Sequence, residues 1–183
     1  YLVNSMTYFT LALLFESTVC TEVGDTNEMQ QVFGDFSTWW KFKTTYLPSN
    51  YSVCPRYKRL NEEGAGLIFH EVYEVYNENT NSRRKEKCHW YGTVLTKRAD
   101  RPPSMTLTRL RDRKSITYRL MSWSSTQKCF VVTFSLKGEA HCELYVQNEL
   151  PSDDKKVPTC EEELERACSR PVNYKWYASN CHK

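Results

Sequence analysis

The sequence predicts a mainly β protein: an eight-stranded antiparallel barrel with a short N-terminal helix and a C-terminal helix packed outside it. Three observations carry this. From Trp39 to Val146, short aromatic and β-branched runs alternate with polar turns at the spacing an up-and-down β protein requires. No sustained 3.6-residue periodicity runs through that stretch. A chain of 183 residues that is 40% hydrophobic and 14% aromatic has enough apolar surface for one sizeable core.

The chain opens with an apolar run, Tyr8 to Phe15, followed by small residues up to Cys20. This reads as a signal peptide over residues 1–20, translated from Met6, with one domain over residues 21–183. The absence of Lys or Arg before Lys41, and Glu16 at the end of the run, are atypical of a leader, and an N-terminal structural segment is the alternative. The run is too short for a bilayer span, which needs about 20 residues, so no membrane partner is expected.

Asp25 and Glu28 form a capping-box pair for a short helix reaching about Phe33. Strands are then expected at Trp39 to Tyr46, Val53 to Leu60, Leu67 to Tyr76, Cys88 to Thr96, Met105 to Leu110, Ser115 to Ser122, Lys128 to Leu136 and Cys142 to Val146. The connections are rich in turn formers or charge, among them Asn61 to Gly66, Asn77 to Lys87, Arg111 to Lys114 and Lys137 to His141. Eight strands with short connections suit closure into a barrel, which removes exposed edges and can hold one small ligand. Thr159 and Glu162 form a second capping-box pair, opening a helix from Cys160 to about Cys168.

Eight cysteines without a CxxC pair point to an oxidising compartment, hence secretion, and away from a zinc module. Asn50-Tyr51-Ser52 is a candidate glycosylation acceptor that agrees with secretion. A net charge of +3 asks for no nucleic-acid or membrane-surface partner, and no nucleic-acid-binding motif is present.

The last two expected strands form a hairpin around Lys137-Gly138-Glu139-Ala140, with Gly138 supplying a positive φ. An even loop puts Cys129 and Cys142 on one face with Val131, Leu144 and Val146, and leaves Phe130, Val132, Phe134, Glu143 and Tyr145 on the other. An odd loop breaks this assignment. The two strand cysteines lie roughly 13 to 20 Å apart, and Cys160 and Cys168 about 12 Å apart on one helix face. Those spans fit a helix outside the hairpin, tied by Cys129–Cys160 and Cys142–Cys168, which leaves Cys181 for Cys54. Eight cysteines admit many pairings, so this selection also leans on the resemblance below. Cys88 is the odd thiol if Cys20 leaves with the leader, and a partner for Cys20 if it stays.

Cys129-Phe130-Val131, Cys142-Glu143-Leu144-Tyr145, Val157-Pro158-Thr159-Cys160, Cys168 and Tyr177 to Cys181 resemble the C-terminal half of tick salivary lipocalins, the tick histamine-binding protein family. Trp39 to Tyr46 followed by Cys54 is similar to their first strand and first cysteine. The resemblance runs from about Phe36 to the end. It implies a lipocalin barrel with a C-terminal helix, secreted in saliva as a monomer that sequesters a small host mediator. The implied ligand is a biogenic amine such as histamine or serotonin, then an eicosanoid or sterol. A protein-binding modulator of host immunity or haemostasis on the same scaffold is the further alternative.

In that family's amine signature an Asp follows the cysteine that here is Cys129, and Phe130 replaces it. A protonated amine in an apolar cavity needs a carboxylate partner. Glu143 is the acid that remains. Glu71, on the alternating face of Leu67, Phe69, Tyr73 and Val75, is a second candidate. Each has a competing structural role: Glu143 in a salt bridge to an Arg, and Glu71 turned outward beside an inward Ile68, His70, Val72 and Tyr76. Phe130, Val132, Phe134, Trp40, Phe42 and Tyr118 are expected to line the cavity and Tyr145 to hydrogen-bond a ligand, core filling being the other role open to them.

No catalysis, metal or cofactor is expected. Cys88-His89 and His141-Cys142 are neighbours on strands, so their side chains point to opposite faces and neither pair forms a chelate or dyad. The basic groups Arg83-Arg84-Lys85 and Arg109, Arg111, Arg113 and Lys114 read as solvated turns, with heparan sulfate or an acidic protein as alternative partners.

Overall fold

The computed structural model describes residues 27–34, 38–46, 52–63, 66–77, 79–95, 101–148, 156–168, 174–175 and 181. The expected leader, Cys20, the Asp25 cap and the Asn50 acceptor lie outside the described residues.

The element order is α1 (Asn27–Gly34), β1 (Thr38–Thr44), β2 (Ser52–Glu63), β3 (Gly66–Asn77), β4 (Ser82–Leu95), β5 (Ser104–Arg109), β6 (Ser115–Ser124), β7 (Cys129–Leu136), β8 (Glu139–Gln147), α2 (Pro158–Ala167) and β9 (Tyr174–Lys175). Strands β2 to β8 pair antiparallel in sequence order, and β1 pairs with both β8 and β2, so the sheet closes into an eight-stranded barrel. The two-residue β9 hangs on the end of β1, pairing Lys43 with Lys175. Among the described residues no helix is long and apolar enough to cross a membrane.

The β7–β8 hairpin closes on Lys137 and Gly138, with Leu136 opposite Glu139, and both turn residues have positive φ, 53° and 83°. That is the two-residue turn whose twist matches the flanking strands. Its even length sorts the hairpin into two faces. Cys129, Val131, Cys142, Leu144 and Val146 pack under α2 with Cys160 and Leu164, while Phe130, Val132, Phe134 and Tyr145 belong to the barrel interior. Disulfides Cys129–Cys160 and Cys142–Cys168 fasten α2 to the outside of the hairpin, and Cys54–Cys181 ties the tail to β2, at Cα separations of 6.3, 6.2 and 5.6 Å.

At one end of the barrel, α1 sends Met29, Val32 and Phe33 into the interior cluster, and Gln147 Nε2 donates to the Val32 carbonyl at 3.1 Å. Gly92 is required nearby: a Cβ there would lie 2.7 Å from Phe69 Cε2, so its bare backbone makes room for that ring.

Beyond strands that run a few residues into the expected Asn61 to Gly66 and Lys137 to His141 connections, two expectations about elements are corrected. Most of the expected loop from Asn77 to Lys87 is strand, since Ser82 to Lys87 extends β4 opposite Val72 to Asn77. Its Arg-Arg-Lys-Glu-Lys run has no apolar alternation because these side chains are mostly exposed, and cross-strand polar pairs hold the ladder instead. Tyr73 donates to Glu86 at 3.2 Å and Arg83 pairs with Glu74 at 3.6 Å. The second correction concerns α2, which begins at Pro158 with Val157 as N-cap rather than at a Thr159 cap. Proline at the first helical position lacks an N–H that would be unpaired anyway. Thr159 bonds instead to Gln127, its N–H donating to Oε1 at 3.1 Å and its hydroxyl accepting from Nε2 at 2.9 Å.

Candidate functional site

Strand alternation around the closed sheet decides which side chains share the interior. β1 contributes Trp39, β2 Tyr57, β3 Leu67 and Phe69, β6 Tyr118 and Leu120, β7 Phe130, Val132 and Phe134, and β8 Tyr145. Toward α1 this space is aromatic. The Trp39 ring lies 4.5 Å from Phe33 and 5.0 Å from Phe69, and Phe130 stacks parallel on Tyr145 at 4.9 Å.

Further along the same strands the interior turns polar. Lys41, two residues after Trp39, places its Nζ 3.1 Å from Glu143 Oε1 and 3.9 Å from Glu71 Oε1. Glu143 is fully buried, and Tyr145 donates to its Oε2 at 2.5 Å. Glu71 accepts from the Tyr57 hydroxyl at 3.1 Å and from Trp90 Nε1 at 2.9 Å. Two carboxylates thus face one ammonium, within a ring of phenols.

The environment fixes the protonation of these partners. Burial works to depress the Lys41 ammonium, but attraction to Glu143, with smaller contributions from Tyr46, Tyr57 and Tyr118, outweighs it and holds its pKa above the ordinary lysine value. Burial raises the phenols of Tyr118 and Tyr145, and the Glu143 carboxylate raises both further. For Tyr57 burial is again the first cause and Glu71 the second. The site at neutral pH therefore holds a charged lysine and neutral tyrosines.

Of the residues singled out from the sequence, Glu143, Tyr145, Glu71, Phe130 and Tyr118 come together in the interior, with Val132 and Phe134. Trp40 and Phe42 do not: both lie in the outer cluster with Cys129, Leu144, Cys160 and Leu164. This corrects their placement as cavity lining. The physical reason is alternation: with Trp39 inward, Trp40 and Phe42 face outward, where the cluster that includes Cys160 and Leu164 of α2 buries them, so β1 is buried on both faces and carries aromatics on each. Trp40 is further covered by the Arg56 guanidinium, 4.6 Å from its ring. The residues that sequence reasoning missed are Trp39, Lys41, Tyr57 and Trp90. Only the parity of β1 could have found Lys41, since an inward Trp39 makes Lys41 inward too.

Among the described residues no group of three or more His, Cys, Asp or Glu side chains could hold a metal ion. Among them Cys88 is the free cysteine, with its sulfur 3.8 Å from the Tyr73 hydroxyl.

No protein-family model matches the chain, and no curated protein matches it. Solved structures do match. Japanin from Rhipicephalus appendiculatus, solved bound to cholesterol, superposes with a TM-score of 0.58 at 14% identity, over 75% of this chain and 90% of that one. Lobster apocrustacyanin A1 gives 0.50 at 10% identity, over 76% of this chain and 74% of that one. Apocrustacyanin C2 gives 0.50 at 11% identity, over 77% and 73%. At these identities the likeness is one of fold, and that fold is the lipocalin barrel.

Proposed function

We propose that this lipocalin-fold chain is an extracellular binding protein that sequesters a small host mediator, a biogenic amine of the histamine or serotonin kind, without catalysis. The charge arrangement around Lys41 carries this reading: among the described residues Glu71 and Glu143 both bring a carboxylate to its ammonium, at 3.9 and 3.1 Å. One protonated guest amine would complete that arrangement in a space where an unpaired charge is severely penalised. The Tyr57 ring, 5.6 Å from the Lys41 ammonium, adds an aromatic surface that attracts a cation. Three disulfides support an oxidising, extracellular setting. The resemblance of the Cys129-to-Cys181 motifs to tick salivary lipocalins supports a host mediator as the cargo.

A second reading, a neutral lipid such as a sterol, is favoured by Phe130, which stands where the family's amine signature has an acid and stacks on Tyr145. Japanin, one of the similar structures, was solved with cholesterol. Calorimetric titration with histamine separates the two. The amine reading expects one-to-one uptake, weakened about tenfold by Glu71→Gln, a loss of roughly 1.4 kcal/mol. Glu71 is partly exposed, so this variant keeps the fold. A protein indifferent to histamine that retains a sterol in native mass spectrometry overturns the amine reading in favour of the second.

A further inference from the structure

The barrel wall is unpaired along part of the β6–β7 seam. β5 pairs with β6 down to Thr108 opposite Ser115, and β7 pairs with β8 down to Leu136 opposite Glu139. Between them, β6 pairs with β7 only from Ser124 opposite Cys129 to Arg119 opposite Thr133. Residues 115–118 and 134–136 therefore face each other without a ladder, opening a slot that starts at the β7–β8 turn. A cavity of about 300 Å³ fills the slot. This is the lower end of the range for small-ligand clefts.

The lining has two chemistries. Ile116 and Phe134 are its apolar residues, and Phe134 packs inward against Tyr118 at 5.2 Å. Arg119 and Ser135 are among its polar ones, together with the facing backbone edges. The Ser115 and Thr117 hydroxyls, also on the lining, already bond to Thr108 and Thr106 of β5. Arg119 makes no ion pair among the described residues, unlike Arg83, Arg84, Arg109 and Arg166. A free guanidinium at the lip of a small apolar slot matches a molecule with one anionic head and a short hydrocarbon body.

We propose that this slot, which reaches inward through the β6–β7 wall to Phe134 and is distinct from the Lys41–Glu143–Glu71 cluster, is a second binding site for an amphipathic carboxylate. The carboxylate sits on the Arg119 guanidinium with Ser135 beside it, and the alkyl chain lies against Ile116 and Phe134. The choice of an anion follows from charge complementarity. The interior described above, with two carboxylates to one lysine, repels such a head and leaves the slot as its place.

Titration with decanoate, followed by calorimetry and by the NMR shift of its labelled carboxyl carbon, tests this. The wild-type protein is expected to take up one decanoate. Arg119→Gln should weaken that uptake roughly tenfold, since a charge-assisted bond is lost. Ala140→Trp, at an exposed position on the slot wall, should abolish it by filling the space. Glu71→Gln should leave decanoate binding unchanged, and excess histamine should not displace it. No uptake by the wild type overturns the proposal. So does uptake that both slot variants leave intact or that histamine displaces, which would put decanoate inside the barrel. No uptake by the wild type leaves the amine reading of the interior untouched, so the two proposals fail separately.

Discussion

Lys41 and Glu143 form a close ion pair, 3.1 Å apart, with almost no contact with water. Lys41→Met leaves Glu143 as an uncompensated buried charge and should destabilise the fold by about 3–5 kcal/mol, while Glu143→Gln leaves Lys41 the more distant Glu71, 3.9 Å away, and should cost less. The Lys41→Met/Glu143→Gln double variant should recover much of that loss. Urea unfolding of the three variants measures it, and single losses that simply add in the double variant would mean that the pair does not act as a unit. The two residues were not equally legible in the sequence. Glu143 could be assigned to the interior because Cys142, next to it, was expected to face a helix on the outside. Lys41 stands in Trp39-Trp40-Lys41-Phe42-Lys43, where both parities carry aromatics, and no pattern of period two tells in from out. Tyr57 and Trp90, which hold Glu71 in place, carry no sequence signal beyond their own strand propensity.

The β7–β8 hairpin shows what a turn decides for an element. Lys137 is held at φ 53°, in the left-handed region that a side chain with a Cβ enters at a cost. Asparagine tolerates that region better and precedes glycine in the preferred turn, so Lys137→Asn should raise stability by about 0.5–1 kcal/mol. Gly138→Ala at φ 83° should lower it by about 1–2 kcal/mol. Thermal melts of the two variants moving in opposite directions check both. An equal response would mean that the turn is not setting the register. The hairpin was readable because glycine, cysteine spacing and alternation agree there. The far half of β4 was not, since cross-strand partners such as Glu74 and Tyr73, rather than its own composition, make Ser82 to Lys87 a strand. The start of α2 was misplaced for a similar reason: a glutamine on a distant turn competes for the Thr159 groups.

For the whole molecule, closure follows from eight alternating runs, and it concentrates the buried lysine and phenols in one interior. Lys41, Tyr57, Tyr118 and Tyr145 all have folded pKa values above their unfolded ones. The folded state therefore binds more protons above about pH 10, and by linkage its stability is fully present below that point and falls as pH rises further. Urea midpoints should be flat toward neutrality and drop steeply above about pH 10. Ultraviolet titration should show the buried phenols ionising only together with unfolding; independent ionisation of all tyrosines near their ordinary value would contradict the packed interior. The Cys54–Cys181 bridge has a different kind of consequence. It spans 127 positions, and the loops closed by the other two bridges are contained within that span. Covalently, most of the polypeptide is a ring, so an enzyme that clips any single peptide bond between those two positions opens the ring without releasing a fragment.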